Sequence, residues 1–381
     1  MTQSTEQAET TGDSILDRVI SSKHDHEIQE FSPEEVISEL LRNLSDKEED
    51  ILRRRHGLHG HERETLEVIG AVYNVTRERI RQIENSSIEA IRNLKGIHDQ
   101  LRSIEHVIHT TLQAHGGAMA EDRLLDELLK FSAESLLAKR SLVFILSHLL
   151  QNKFVVIEPT ETLRRSWRLP IASVEHIELT VKELCALIQE INESLPSEKV
   201  IEHFKQRPFY VDRQHQFTDD AILSSLGMSQ EIDRNPYEEY GLRSWGSIRP
   251  KRMNDKIYLV LKKARKPLHF TEITDEINRV QFDTRKAYPP TIHNELILND
   301  RYVLVGRGMY ALTEWGYKPG VVSDVIREIL LKSGPLSRDE IVKRVLEQRV
   351  VKKNTIHLAL THRDRFEKLA DGRYGVQKMS A

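Results

Sequence analysis

From Val36 onward, apolar residues recur at helical spacing. Val36, Ile37, Leu40, Leu41 and Leu44 fall on one face of a helix. Ser45, followed three residues on by Glu48, predicts a capping box at the start of a second helix. Ile51 and Leu52 give that helix its core face, and Gly57 within His56-Gly57-Leu58-His59-Gly60 predicts its left-handed end. Thr65 opens a third helix with Leu66, Val68, Ile69 and Val72 as apolar positions. Tyr73-Asn74-Val75 then reads as a short turn. Thr76 caps a long helix whose inner face is Ile80, Ile83, Ile88 and Ile91. Two helices joined by so short a turn form a helix-turn-helix.

Downstream the pattern repeats. Pro267-Leu268 to Glu272-Ile273 matches Pro335-Leu336 to Glu340-Ile341. Thr291-Ile292-His293 matches Thr355-Ile356-His357, Asp300-Arg301-Tyr302 matches Asp364-Arg365-Phe366, and Gly308 to Leu312 matches Gly372 to Val376. Each copy predicts an apolar helix, a Pro-Leu turn, a helix opened by Thr271 or Ser337, a third helix from Pro290 or Asn354, and a hairpin. Three helices closed by a hairpin describe a winged helix. Two weaker copies lie upstream. One runs through Leu101, Met119, Ser141 and Phe154, with Met119 opening a helix. The other runs from Val181 to a hairpin ending at Trp245.

The expected fold is therefore mainly α, an N-terminal helix-turn-helix followed by tandem winged-helix units. The expected divisions are an acidic, disordered tail over 1–34, the helix-turn-helix over 35–97, and winged helices over 98–170, 171–246, 247–317 and 318–381. The tail carries Arg18 and Lys23 against eight acidic residues, too polar to bury a core.

The net charge of −3 hides an asymmetry. Residues 1–246 carry 29 Lys and Arg against 43 Asp and Glu, a net of −14; residues 247–381 carry 27 against 16, a net of +11. A basic half suits nucleic acid, and an acidic half suits solvent or protein surfaces. The single cysteine, Cys185, excludes a disulfide framework and a Cys-based zinc site, and fits a cytoplasmic setting. It lies on an apolar helix face and reads as a buried thiol. The polar N-terminus is no signal peptide, and the longest apolar stretch, near 141–150, is too short for a bilayer. No cofactor, small-molecule substrate, membrane partner or catalytic constellation is expected. His56, His59 and His61 lack the further ligands of a metal site.

Arg77, Glu78, Arg81 and Gln82 share the face of the last N-terminal helix opposite Ile80 and Ile83. Arg can bond guanine in pairs, Gln adenine, and Glu can accept from cytosine, so these four are candidates for base reading in a major groove. Thr76 and Arg79 are placed for phosphates. The alternative is a solvated helix laced by its own ion pairs.

Residues 36–95 closely resemble region 4 of bacterial sigma-70 family initiation factors. Leu44 to Leu58, Thr65 to Gly70 and Val75 to Glu84 carry the likeness. It implies a module that reads the promoter −35 element in double-stranded DNA and docks on the flap of core RNA polymerase. In that reading Arg53 to Arg55 lie near phosphate or polymerase. Asn85-Ser86-Ser87 departs from the family pattern, which leaves activator contacts open. No segment resembles the family's promoter-melting region 2, so a complete initiation factor is not expected. The last two repeats resemble HARE-type winged helices, the kind found in the delta subunit of RNA polymerase, on Pro335-Leu336, Asp339-Glu340-Ile341, Thr355-Ile356 and Gly372-Arg373-Tyr374-Gly375. That likeness implies an adaptor for nucleic acid or polymerase, with Lys352, Lys353, Arg363 and Arg365 as phosphate contacts. The expected function is thus a DNA-binding transcription regulator. A polymerase-associated interaction protein and a DNA-targeting subunit of a restriction or modification system stand as alternatives.

Overall fold

The computed structural model describes residues 32–130, 135–317, 321–349, 351–362 and 364–377. Helices joined by small antiparallel sheets make up two compact units, the described residues up to 192 with 197–233, and residues 193–196 with the described residues from 234 onward. Most of the expected tail, residues 1–31, lies outside the described residues. Its end is helical rather than tail. Ser32 accepts from Glu35 N at 3.4 Å to cap α1 (Pro33–Leu41), with Pro33 in the first turn and Glu34 and Glu35 at the positive helix end. These start signals place the helix boundary before Pro33.

Ser45 N and Oγ donate to Glu48 Oε2 at 3.0 and 2.6 Å, opening α2 (Asp46–His56), and Gly57 ends it at φ 67°. Thr65 accepts from Val68 N to cap α3 (Leu66–Tyr73), and Thr76 accepts from Arg79 N to cap α4 (Arg77–Arg92). Between them Asn74 takes φ 53°. Gly70 lets α3 meet this turn: a Cβ there would stand 2.7 Å from Val75 O. Ile51, Leu66, Ile69 and Ile80 close a small core.

A larger core joins α1, α2 and the far end of α4 (Ile88, Ile91) to α5 (Ile97–Ala114), α6 (Glu121–Leu128) and α7 (Leu136–Phe144). Segments expected as separate units over 35–97 and 98–170 therefore share one interior. α7 runs on into a π-helical turn, Ile145–Leu149. Met119, expected at the start of a helix, lies instead in β1 (Ala118–Ala120). Gly116 and Gly117, both at positive φ, stop α5, and the chain pairs as a strand before α6 begins. β1 pairs with β3 (Ser166–Arg168), which also pairs with β2 (Val155–Ile157). Trp167 is buried on β3, and its Nε1 donates to Glu121 Oε2 at 2.9 Å.

α8 (Val174–Ile191), α9 (Ser197–Lys205), α10 (Pro208–Val211) and α11 (Asp219–Met228) follow. Ile177, Val181 and Met228 pack with Ala118, Ala120 and Leu163, so this segment too shares a core with the one before it. Cys185 lies against that core, 3.5 Å from Ser229 Oγ, and burial pushes its thiol up, away from a reactive thiolate. The boundary between the two compact units falls inside residues 171–246. The four helices belong to the first unit, β5 (Ile232–Arg234) straddles the boundary, and β4 (Leu195–Pro196) pairs with β6 (Glu239–Leu242) in the second.

The second unit continues with α12 (Met253–Ala264), β7 (Leu268–His269), α13 (Phe270–Val280), α14 (Pro289–Leu298), β8 (Tyr302–Gly306) and β9 (Met309–Leu312), the strands ordered β7-β9-β8. His269, not Thr271, caps α13. Its ring accepts from Thr271 N, and Glu272 accepts from His269 N at 2.8 Å. Lys256 is buried, with Nζ 2.7 Å from Asp283, whose carboxyl this contact holds below its usual range. α15 (Val322–Ser333), α16 (Arg338–Leu346), α17 (Lys353–Ala359), β10 (Phe366–Lys368) and β11 (Tyr374–Val376) repeat the order, with Leu336 bridging Tyr374 where the previous repeat has β7. Among the described residues, no helix is long and apolar enough to cross a membrane.

Candidate nucleic-acid interface

The start of α4 presents Arg77, Glu78, Arg81 and Gln82 to solvent, while Ile80 on the opposite side is fully buried. The structure brings all four onto one exposed face, and they pair there. Arg81 Nε and Nη2 donate to the two Glu78 oxygens at 2.9 and 2.6 Å. Arg77 Nη1 lies 3.0 Å from Glu67 Oε1 of α3, and Arg79 Nη1 donates to Gln82 Oε1 at 3.3 Å. The Arg81 hydrogen bonds hold the Glu78 carboxyl below its usual range. These pairs stand in water, where salt screens them and each partner exchanges readily for a base edge or phosphate. Both alternatives for this face are thus physically present: a ladder of ion pairs, and a set of donors and acceptors free to re-pair. Thr76 lies at the helix entrance, where the positive end of α4 favours an anion.

Arg53, Arg54 and Arg55 are held by their surroundings. Arg53 pairs with Glu49 at 2.7 Å and donates to Leu58 O; Arg54 pairs with Asp50 at 2.6 Å and with Glu64 at 3.2 Å; Arg55 lies 3.5 Å from Glu84. These contacts brace α2 against its following loop and α4.

In the second unit, Lys352 and Lys353 are exposed at the N-terminus of α17. Arg365 is not an open cation: its Nη1 lies 2.9 Å from Asp324 and 3.1 Å from Ser323, at the start of α15. Arg363 lies outside the described residues. α14, the third helix of its repeat, carries no Lys or Arg and exposes Ile297 and Leu298. Among the described residues, no group of His, Cys, Asp or Glu is placed to hold a metal ion.

A second cationic group is not announced by the sequence. Arg63, Arg140, His148 and Arg165 line one cleft in the first unit, with Arg55, His56 and Glu84. They lie far apart along the chain, on different elements, so no spacing or periodicity reveals them.

Known proteins match the part of the chain that holds α4. Two RNA polymerase sigma factors SigA, from Listeria monocytogenes serovar 1/2a and Listeria innocua serovar 6a, are each 43% identical to it over 82 residues, 22% of this chain and 22% of theirs. The chain thus matches about a fifth of the length of these relatives. Residues 40–93, from the end of α1 through α4, match the family model for Sigma-70, region 4, a DNA-binding module of sigma factors.

Proposed function

We propose that this protein is a DNA-binding transcription regulator whose α4 reads a −35-like sequence, with a role for the same module in docking on the flap of core RNA polymerase. The exposed face of Arg77, Glu78, Arg81 and Gln82 carries this reading, because it sits on the second helix of a helix-turn-helix that matches Sigma-70, region 4. Thr76 and Arg79 contact flanking phosphates. The region 4-like module, residues 35–97, is followed by four winged-helix segments with boundaries near 170, 246 and 317, the last two of HARE type. These add weak contacts to DNA or polymerase, with Lys352 and Lys353 as phosphate contacts on the last. Tethered weak contacts raise one another's effective concentration, so the whole chain binds more tightly than its parts. The chain regulates rather than catalyses.

A second reading has its own observation. α14 lacks basic residues and exposes Ile297 and Leu298, a surface better suited to protein than to a phosphate backbone. It favours a polymerase-associated interaction protein for that segment. Binding-site selection with the full chain, with and without core RNA polymerase, separates the two. Enrichment of a −35-like sequence by the protein alone supports autonomous base reading. Enrichment only with polymerase present assigns the module to docking, and no enrichment under either condition contradicts base reading by α4 and is the outcome expected of a polymerase-associated interaction protein.

A further inference from the structure

A cleft of about 330 Å³ opens in the first unit between the helix-turn-helix and the segment that follows it. Arg55 enters from α2, Arg63 from the loop after it, Glu84 from α4, Arg140 and His148 from α7 and its π-helical turn, and Arg165 from the approach to β3. Four guanidinium groups thus share a lining with one carboxylate.

Their partners decide what the cleft can accept. Arg165 is neutralised elsewhere, with Glu121 at 2.9 Å and Glu158 at 2.8 Å. Glu84 is committed to His56 Nε2 at 3.0 Å and Arg55 Nε at 3.5 Å. Burial pushes the Glu84 carboxyl up, but His56, Arg55 and His148 draw it further down, so it stays ionised and saturated. Arg140 donates to the carbonyls of Gly57 and His61, and Arg63 is exposed; among the described residues neither has a carboxylate partner. Two guanidinium charges therefore face one cavity without a counter-ion.

Further features fit an anion. The His56, Phe144 and His148 rings meet within 5.0 Å of one another and form an aromatic wall. The His148 ring is pushed down to about 4, first by burial, then by His56, Arg92 and Arg63 against the opposing pull of Glu84, so it lines the cavity as a neutral ring. Gly57 lets Arg140 approach: a Cβ there would stand 2.5 Å from its Nη1. Guanidinium groups match phosphate oxygens in pairs and need little reorganisation to do so. The volume holds a phosphate group with a small appendage.

We propose that this cleft is a phosphate-binding site centred on Arg63 and Arg140. Its ligand, a soluble phosphate ester or a backbone phosphate of bound DNA, bridges α2 and α4 to α7. Phosphate binding here does not depend on the assignment of the α4 face to base reading.

The test uses the full chain with inorganic pyrophosphate, AMP and a duplex as probes, and compares the wild type with Arg63→Gln and Arg140→Gln. Arg63 is on an exposed loop, so R63Q keeps the test clean if R140Q disturbs the fold. Calorimetric binding of pyrophosphate or AMP, weakened at least tenfold in R63Q, with the His148 ring titrating at higher pH when the site is filled, supports a soluble ligand. Absence of that binding, with R63Q lowering the salt dependence of duplex binding by about one released counter-ion, supports a backbone phosphate. If R63Q leaves pyrophosphate and AMP binding and the salt dependence of duplex binding as in the wild type, or if none of the three probes binds, the proposal is overturned.

Discussion

Gly70 and His148 show how much single residues decide here. Gly70 packs its bare Cα against Val75 O, so the turn of the helix-turn-helix closes only with glycine at this position. Gly70→Ala forces the backbone apart and should cost about 1–3 kcal/mol, read as a lower midpoint of chemical denaturation. A midpoint equal to the wild type's would contradict the close approach. His148 is neutral in the fold, its ring pushed down to about 4 mainly by burial. The unfolded chain takes up that proton first as pH falls. The contribution of His148 is therefore complete above about pH 6.5 and is lost on the way down to about 4, by no more than about 3 kcal/mol. H148Q should unfold with a shallower pH dependence over this window; equal slopes would remove His148 as the cause. Gly70 stands in a recognisable motif, and Ser45, Thr65 and Thr76 announce their helices through local hydrogen bonds, which sequence spacing encodes. The perturbation of His148 comes first from burial and then from His56, Arg92 and Arg63, all imposed only by folding, so nothing in its neighbourhood along the chain announces it.

At the scale of elements, the helices follow from periodicity, whereas the short strands that precede α6, α13 and α16 do not. β1 and β7 are three and two residues long, and at Leu336 the strand shrinks to a single bridge. Such pieces lack room for an alternating pattern, and pairing with a hairpin far along the chain defines them. The π-helical turn after α7 has no sequence signature either. Arg92 Nε donates to His148 O at 2.6 Å, so α4 is tied to that turn through a backbone carbonyl. The face of α4 that carries Arg77, Glu78, Arg81 and Gln82 was legible because it is a local property of one helix. The cleft of Arg63 and Arg140 was not, because several separate segments build it.

At the scale of the whole molecule, the repeats describe the order of elements but not the division into cores. The helix-turn-helix shares its interior with α5, α6 and α7 through Ile37, Leu41, Ile88 and Ile91, and sequence periodicity cannot say which apolar faces meet. The fragment 32–97 should therefore be markedly less stable than 32–233, with a thermal midpoint well below that of the longer piece. Equal midpoints would show that the shared core contributes nothing. The charge division, −14 over residues 1–246 and +11 over 247–381, makes electrostatic help for DNA binding a property of the later segments. Sequence preference, by contrast, is assigned to α4, and one experiment separates the two contributions. Equilibrium binding of the full chain to a selected −35-like duplex and to a scrambled duplex should be compared for wild type and Arg81→Ala, at fixed salt. R81A should reduce the preference between the two duplexes by about 1–3 kcal/mol while binding to the scrambled duplex changes little. An unchanged preference, or an equal loss on both duplexes, would contradict base reading by α4.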